Sequence, residues 1–284
     1  LVNWEYAGQV FTSYVQKPKW GTNNANLWAP DITKIGDKFV LYYSLSKWGD
    51  DNPGIGIAVA DHPLGPWTDR GELLRSVPIG VANSIDPTVF TALDGKIYMI
   101  WGSFFGGLYG VRLTDDGLGL YDGTQKDAAK NKTLIGFIGN SRTSYEAAYI
   151  LQKDGWYYMF VSSGSCCNGL DSTYHVKVAR SRNPLGPYTD KEGVNMTTST
   201  AGTLVVEGGP RFAGTGHNSV ITDDAGDYYM LYHGFDRFEL PDFNGTNRRA
   251  LLIDKLLWTE DGWPYVEGLT PSEIALKPVI NVTK

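Results

Sequence analysis

Asp86, Glu146 and His217 are ionisable side chains at matching places in a sequence that repeats itself. Asp86-Pro87 precedes Asp94-Gly95-Lys96-Ile97-Tyr98-Met99-Ile100-Trp101-Gly102-Ser103. Glu146-Ala147, 60 residues on, precedes Asp154-Gly155-Trp156-Tyr157-Tyr158-Met159-Phe160-Val161-Ser162-Ser163. His217-Asn218, a further 71 on, precedes Asp227-Tyr228-Tyr229-Met230-Leu231-Tyr232-His233. Two carboxylates facing each other across a cleft can cleave a glycosidic bond: one is protonated to expel the leaving oxygen, the other ionised to activate water or attack carbon. Burial and like-charge repulsion would split their pKa values and so divide the roles. A plainer reading stands beside this one. Asp86 before Pro87 also suits a turn, and either carboxylate could accept backbone N–H groups. His217, reached through Gly214-Thr215-Gly216, could bind a metal, act as a base or hydrogen-bond a neighbour. Residue type alone favours the satisfied structural histidine.

The elements that must position these groups are short strands. A fourth copy of the phrase, Leu27-Trp28-Ala29-Pro30 followed by Gly36-Asp37-Lys38-Phe39-Val40-Leu41-Tyr42-Tyr43-Ser44, comes first in the chain. In each copy a β-branched or aromatic run follows a Gly-Asp or Asp-Gly turn, which reads as a hairpin. Apolar residues on both strand faces fit a sheet covered on both sides. A longer phrase, Ile57–Asp69, returns as Val176–Asp190 with the shared core Pro-Leu-Gly-Pro-[Trp/Tyr]-Thr-Asp. Units of this length with four short strands are propeller blades, whose first strands ring a central axis. Equivalent residues then lie at similar height around one mouth. A β-sandwich also recurs regularly, but its strands do not usually repeat a phrase at twice a blade length. Leu1–Phe11 resembles the tail of the Gly65–Leu73 phrase. The expectation is therefore an all-β chain, one five-bladed propeller domain over residues 1–284, opening on the outer strand of a first blade incomplete at its N-terminus. The inner strands of that blade would have no counterpart unless the segment from Leu269 supplies one. Helical signal is confined to Gln125–Lys132.

Composition excludes several classes. The 284 residues include 9 Trp, 17 Tyr and 11 Phe, too aromatic for a disordered chain. No apolar run approaches the length of a membrane span. A net charge of −6 repels phosphate backbones, so nucleic acid is not an expected partner. A neutral sugar suits the aromatic content, because these rings stack on sugar faces. Trp28, Trp48, Trp101, Phe104 and Phe105 are candidates, with Trp28 and Phe104 best placed beside the mouth. The 2 cysteines, Cys166 and Cys167, are adjacent. They cannot build a disulfide framework and read as buried, inert thiols, a strained loop at the mouth being the other reading. The sequons at Asn131, Asn195, Asn244 and Asn281 are compatible with chance. No signal peptide is visible ahead of Leu1, and one could have been removed.

Leu27-Trp28-Ala29-Pro30-Asp31, Ser84-Ile85-Asp86-Pro87, Trp101-Gly102-Ser103-Phe104, Tyr145-Glu146-Ala147-Ala148-Tyr149, Ser163-Gly164-Ser165-Cys166-Cys167 and Gly214-Thr215-Gly216-His217 together resemble glycoside hydrolase family 43, above all its arabinanases. The likeness runs in order along nearly the whole chain. It implies a five-bladed propeller cleaving α-1,5-linked L-arabinan with inversion. Glu146 would be the general acid and Asp86 the carboxylate that tunes and orients it. Trp28, Ser103 and Phe104 would bind substrate. His217 would stand beside a calcium or sodium ion held mostly through water. The family's general base is an Asp-Pro aspartate on the first strand of the first blade. The chain's one Asp-Pro is Asp86-Pro87, so the base has no assignable residue. Either a preceding segment carries it, or a partner chain or another carboxylate such as Asp31 substitutes. Gly-Thr-Gly-His in place of Gly-Pro-Gly-His, and Ala148 in place of proline, are minor departures.

Three functions follow as expectations: an arabinan hydrolase, a family member active on xylan or arabinoxylan, or a sugar-binding propeller without catalysis. The loops Tyr14–Asn26 and Phe235–Asn247 would decide endo against exo action. A plant cell-wall polysaccharide is the expected partner, which places the protein extracellularly or in the periplasm.

Overall fold

The computed structural model describes residues 5–12, 18–137, 139, 144–198, 201–239, 241, 245 and 247–281. Among these described residues, sixteen strands form four four-stranded antiparallel sheets, each a meander. The first blade holds β1 (Asn26–Ile35), β2 (Lys38–Ser46), β3 (Gly54–Ala60) and β4 (Thr68–Arg75). The second holds β5 (Thr88–Thr91), β6 (Ile97–Trp101), β7 (Leu108–Arg112) and β8 (Thr133–Gly136). The third holds β9 (Glu146–Lys153), β10 (Trp156–Ser163), β11 (His175–Ser181) and β12 (Thr203–Val206). The fourth holds β13 (Phe212–Thr222), β14 (Tyr228–Asp236), β15 (Arg249–Trp258) and β16 (Pro264–Val266). The repeated turn between first and second strands carries Gly36, Gly95, Gly155 and Gly226, all at positive φ, a region that costs glycine little. No helix among the described residues is long and apolar enough to cross a membrane.

First strands pack in sequence, β1 on β5, β5 on β9 and β9 on β13. The period-2 side-chain alternation then feeds two cores at once. Ile97, Met99 and Trp101 face the first blade, where Tyr42, Ile55 and Leu74 wait. Tyr98 and Ile100 face the third blade, against Tyr157, Met159 and Val161. Tyr158 and Phe160 in turn meet Met230 and Tyr232 of the fourth. Burial on both faces explains why these strands read as near-continuous apolar runs.

The expected five blades are corrected to four among the described residues. Residues 5–12 form no strand. Val10 and Phe11 instead pack on Leu41, Tyr43 and Leu45 of the first blade. After the turn at Glu267–Leu269 the described residues form no strand either; Val279 N–H donates to Asp223 Oδ2 at 2.9 Å, tying the segment to the β13–β14 hairpin. A blade needs paired strands, and neither segment meets a partner strand. Leu1–Trp4, Asn244 and parts of both long loops lie outside the described residues. The helix expected at Gln125–Lys132 is α2 (Gln125–Asn131), following the short α1 (Ser76–Ile79). Thr124 caps α2 by accepting the Asp127 N–H at 3.2 Å.

Candidate active site

The inner ends of the first strands carry the site. Asp86, Ala147 and His217 have φ of 54°, 52° and 54°, a region seldom used by residues other than glycine. Between Glu146 and Tyr149, and between Gly216 and Ser219, the strand register shifts, as in a β-bulge, which re-aims side chains near functional sites. The strained backbone is fastened by the preceding blade. Asp86 N–H donates to Ser44 Oγ at 3.0 Å, and His217 N–H donates to Ser162 Oγ at 2.8 Å. Ser44 and Ser162 occupy equivalent places in the repeat, so one device serves two blades.

Asp86, ahead of β5, and Glu146 and His217, at the two bulges, line one cleft of about 790 Å³. The first blade contributes Trp28 and Trp48, the second Ser103, Phe104 and Phe105, the third Tyr174 and residues 165–168, the fourth His233 and Arg249. Trp28 leans on Trp48 with ring centroids 5.3 Å apart. Phe104 N–H donates to Tyr145 O at 2.8 Å, which sets its ring beside the strand that bears Glu146. Trp101 is not in the cleft. It is fully buried, and its indole N–H donates to Ser84 Oγ at 3.1 Å.

Glu146 is buried and fully engaged. Its Oε2 accepts from Ser103 Oγ at 2.7 Å and its Oε1 from the Tyr174 hydroxyl at 2.5 Å. Burial, reinforced by the charge of Asp86, raises its pKa to about 7, against the pull of the Tyr174 and Ser103 hydrogen bonds and of His217. Burial likewise raises Asp86 to about 7, opposed by the Ala147 N–H. Burial and the charge of Asp86 thus oppose ionisation of Glu146, so the acid keeps its proton toward neutrality. The Ser103 hydroxyl is therefore committed to the acid. Protein surrounds the His217 ring and lowers its pKa by desolvation, while Glu146 opposes that shift. The ring is nevertheless solvent-accessible, because it stands between two cavities.

The second is an axial cavity of about 220 Å³ beneath the cleft, shared by Asp31, Asp86, His217 and Asn218. Asp31 accepts the Val89 N–H at 2.7 Å, and burial raises its pKa to about 7. It borders this cavity and not the cleft. Thr215 Oγ1 and both amide atoms of Asn218 are buried without a hydrogen-bond partner. No group of three or more His, Cys, Asp or Glu among the described residues could hold a metal ion. A dehydrated ion in a protein cage does not fit, whereas a hydrated ion beside His217 would satisfy the open amide.

Sequence reasoning missed Tyr174, Arg249 and His233. Tyr174 lies ahead of β11 outside any repeated phrase, one tyrosine among 17. The structure also corrects the reading of the cysteines. Cys166 and Cys167 are bonded to each other, and they sit partly exposed in the cleft wall rather than buried as thiols.

With this geometry in place, the comparisons with known proteins are specific. The family model for "Glycosyl hydrolases family 43" matches residues 1–264. The extracellular exo-α-(1→5)-L-arabinofuranosidase of Cellvibrio japonicus is 35% identical over 94% of this chain and 78% of its own. The extracellular endo-α-(1→5)-L-arabinanase 1 of Bacillus subtilis is 31% identical over 92% of this chain and 76% of its own. The solved structure of Cellvibrio cellulosa α-L-arabinanase in complex with arabinohexaose superposes with a TM-score of 0.73 at 35% identity, over 84% of this chain and 76% of that one.

Proposed function

Because the chain belongs to glycosyl hydrolases family 43, and is thus a glycosidase, we propose that it cleaves α-1,5-linked L-arabinan or arabino-oligosaccharides with Glu146 as general acid. The observation that carries this reading is a buried carboxyl, held through both oxygens, beside a second carboxyl in a cleft walled by aromatic rings.

Protonated Glu146 delivers its proton to the glycosidic oxygen as the bond breaks. Burial, and after it the charge of Asp86, raises the acid's pKa, so that the proton is present near neutrality. Ser103 and Tyr174 fix the carboxyl in one orientation, and Trp28 and Phe104 bear the furanose rings. Inversion requires a water on the opposite face of the sugar, activated by a base about 6.5–9.5 Å from the acid. The carboxylates lining the cleft among the described residues are Asp86 and Glu146, so the base is not assigned to a residue of this chain. Asp31 faces the axial cavity instead. A calcium or sodium ion, held by His217 and water, would add positive charge beneath the carboxyls and favour their ionised forms. The relatives' extracellular names support action outside the cytoplasm.

That Asp86 and Glu146 are the carboxylates lining the cleft among the described residues favours a second reading, a propeller that binds arabinan without cleaving it. Reducing-sugar release from linear arabinan, xylan and arabinoxylan separates the readings. Release from arabinan at least about a hundredfold faster than from the xylans is expected. Binding without release would leave the second reading, and faster release from the xylans would replace the substrate.

A further inference from the structure

We propose that the Cys166–Cys167 disulfide is a sugar-contacting wall of the cleft, clasped by Arg249, and that its reduction weakens oligosaccharide binding while leaving the acid in place. This rests on the arabinan reading above. The bridge caps the loop between β10 and β11, and the loop's base is pinned. Ser165 N–H donates to Thr173 Oγ1 at 3.0 Å, Thr173 N–H donates to Ser165 Oγ at 3.0 Å, and Asn168 N–H donates to Ser172 Oγ at 3.0 Å. Gly164 has φ of 89°, and a Cβ there would stand 2.4 Å from Thr173 O, so the two loop arms approach as only glycine allows. What remains free to face the cleft is the tip.

Arg249 reaches that tip from the start of β15, one blade away. Its Nη2 donates to Cys166 O at 3.1 Å and to Cys167 Sγ at 3.4 Å, and its guanidinium lies 5.0 Å from the centre of the Phe235 ring. The bonded pair closes a small ring through the intervening peptide, so both sulfurs and that peptide move as one body. Divalent sulfur is polarisable and carries no strong donor, which suits the C–H face of a sugar. A contact already ordered before binding loses little entropy when ligand arrives.

A dithiol reductant would break the S–S bond. Each sulfur gains a proton, and the reductant closes its own disulfide. Two thiols then rotate independently, and the carbonyl and sulfur that Arg249 holds together no longer share one body. Glu146 is anchored by Ser103 and Tyr174, neither of which bonds to the bridge, so the acid stays where it is.

Calorimetric titration with arabinohexaose tests this. The protein is used oxidised, reduced with dithiothreitol until both thiols are counted, and reoxidised, alongside the double variant Cys166→Ser/Cys167→Ser. The expected result is a Kd about tenfold higher after reduction, restored by reoxidation. The double variant should hold the weak value with or without dithiothreitol. Fully reduced protein that binds as tightly as oxidised protein overturns the proposal, whether or not the double variant folds. Oxidised protein that does not bind arabinohexaose at all overturns the arabinan reading itself, and this inference with it.

Discussion

The Tyr174 hydroxyl donates to Glu146 Oε1 at 2.5 Å, a hydrogen bond between a strand-entry residue and the proposed acid. Because it favours the ionised carboxylate, removing it must raise the Glu146 pKa further. A general acid works while protonated, so activity falls as pH rises through that pKa. Tyr174→Phe is expected to move the alkaline limb of the kcat/KM profile up by about one pH unit, with a lower kcat from a less firmly oriented carboxyl. An unmoved or lowered limb would count against the assignment.

Asp86 acts in the opposite sense. Its charge is the second cause, after burial, of the raised Glu146 pKa. Asp86→Asn should therefore move the alkaline limb to lower pH and reduce kcat at pH 7 by about a hundredfold. A pH–rate profile of the variant with its limb at or above the wild-type position would contradict the pairing.

Gly216 adjoins His217 and lies under the Tyr174 ring. A Cβ at that position would stand 2.1 Å from Tyr174 Cδ1. Gly216→Ala must displace the ring or the bulge, at a cost of about 1–3 kcal/mol for overpacking. Thermal unfolding should show a lower Tm, and arabinan turnover should fall more than arabinohexaose affinity. An unchanged Tm would show that the ring is not confined there.

Asp31 offers a test on stability alone. Its folded pKa of about 7 lies above the ordinary 3.8. Its stabilising contribution is thus complete below the unfolded pKa and is lost as pH rises from about 4 to about 7. Asp31→Asn removes that dependence and keeps an oxygen for the Val89 N–H. The Tm of the variant minus that of wild type should therefore increase between pH 4.5 and pH 8. A constant difference would mean that the carboxyl is not buried as described.

How much of this was legible in sequence depended on repetition. Blade periodicity placed Asp86, Glu146 and His217 at equivalent strand starts, and the structure brings all three to one cleft. It could not give the blade count, because a likeness at Leu1–Phe11 says nothing about pairing, and pairing makes a blade. Tyr174 and Arg249 come from a loop end and a late strand with no repeated counterpart. The exposed Trp48 and the core residue Trp101 look alike as letters; only packing separates them. The Cys166–Cys167 bond escaped because adjacent cysteines look like chance until the loop's fold is known.

The central claim is that Glu146 supplies the proton. Linear arabinan turnover and arabinohexaose binding should be measured together for wild type and Glu146→Gln, which keeps the shape and loses the ionisable proton. The account predicts a fall in turnover of about a thousandfold or more with Kd within about threefold of wild type. Turnover by Glu146→Gln near the wild-type rate would contradict it.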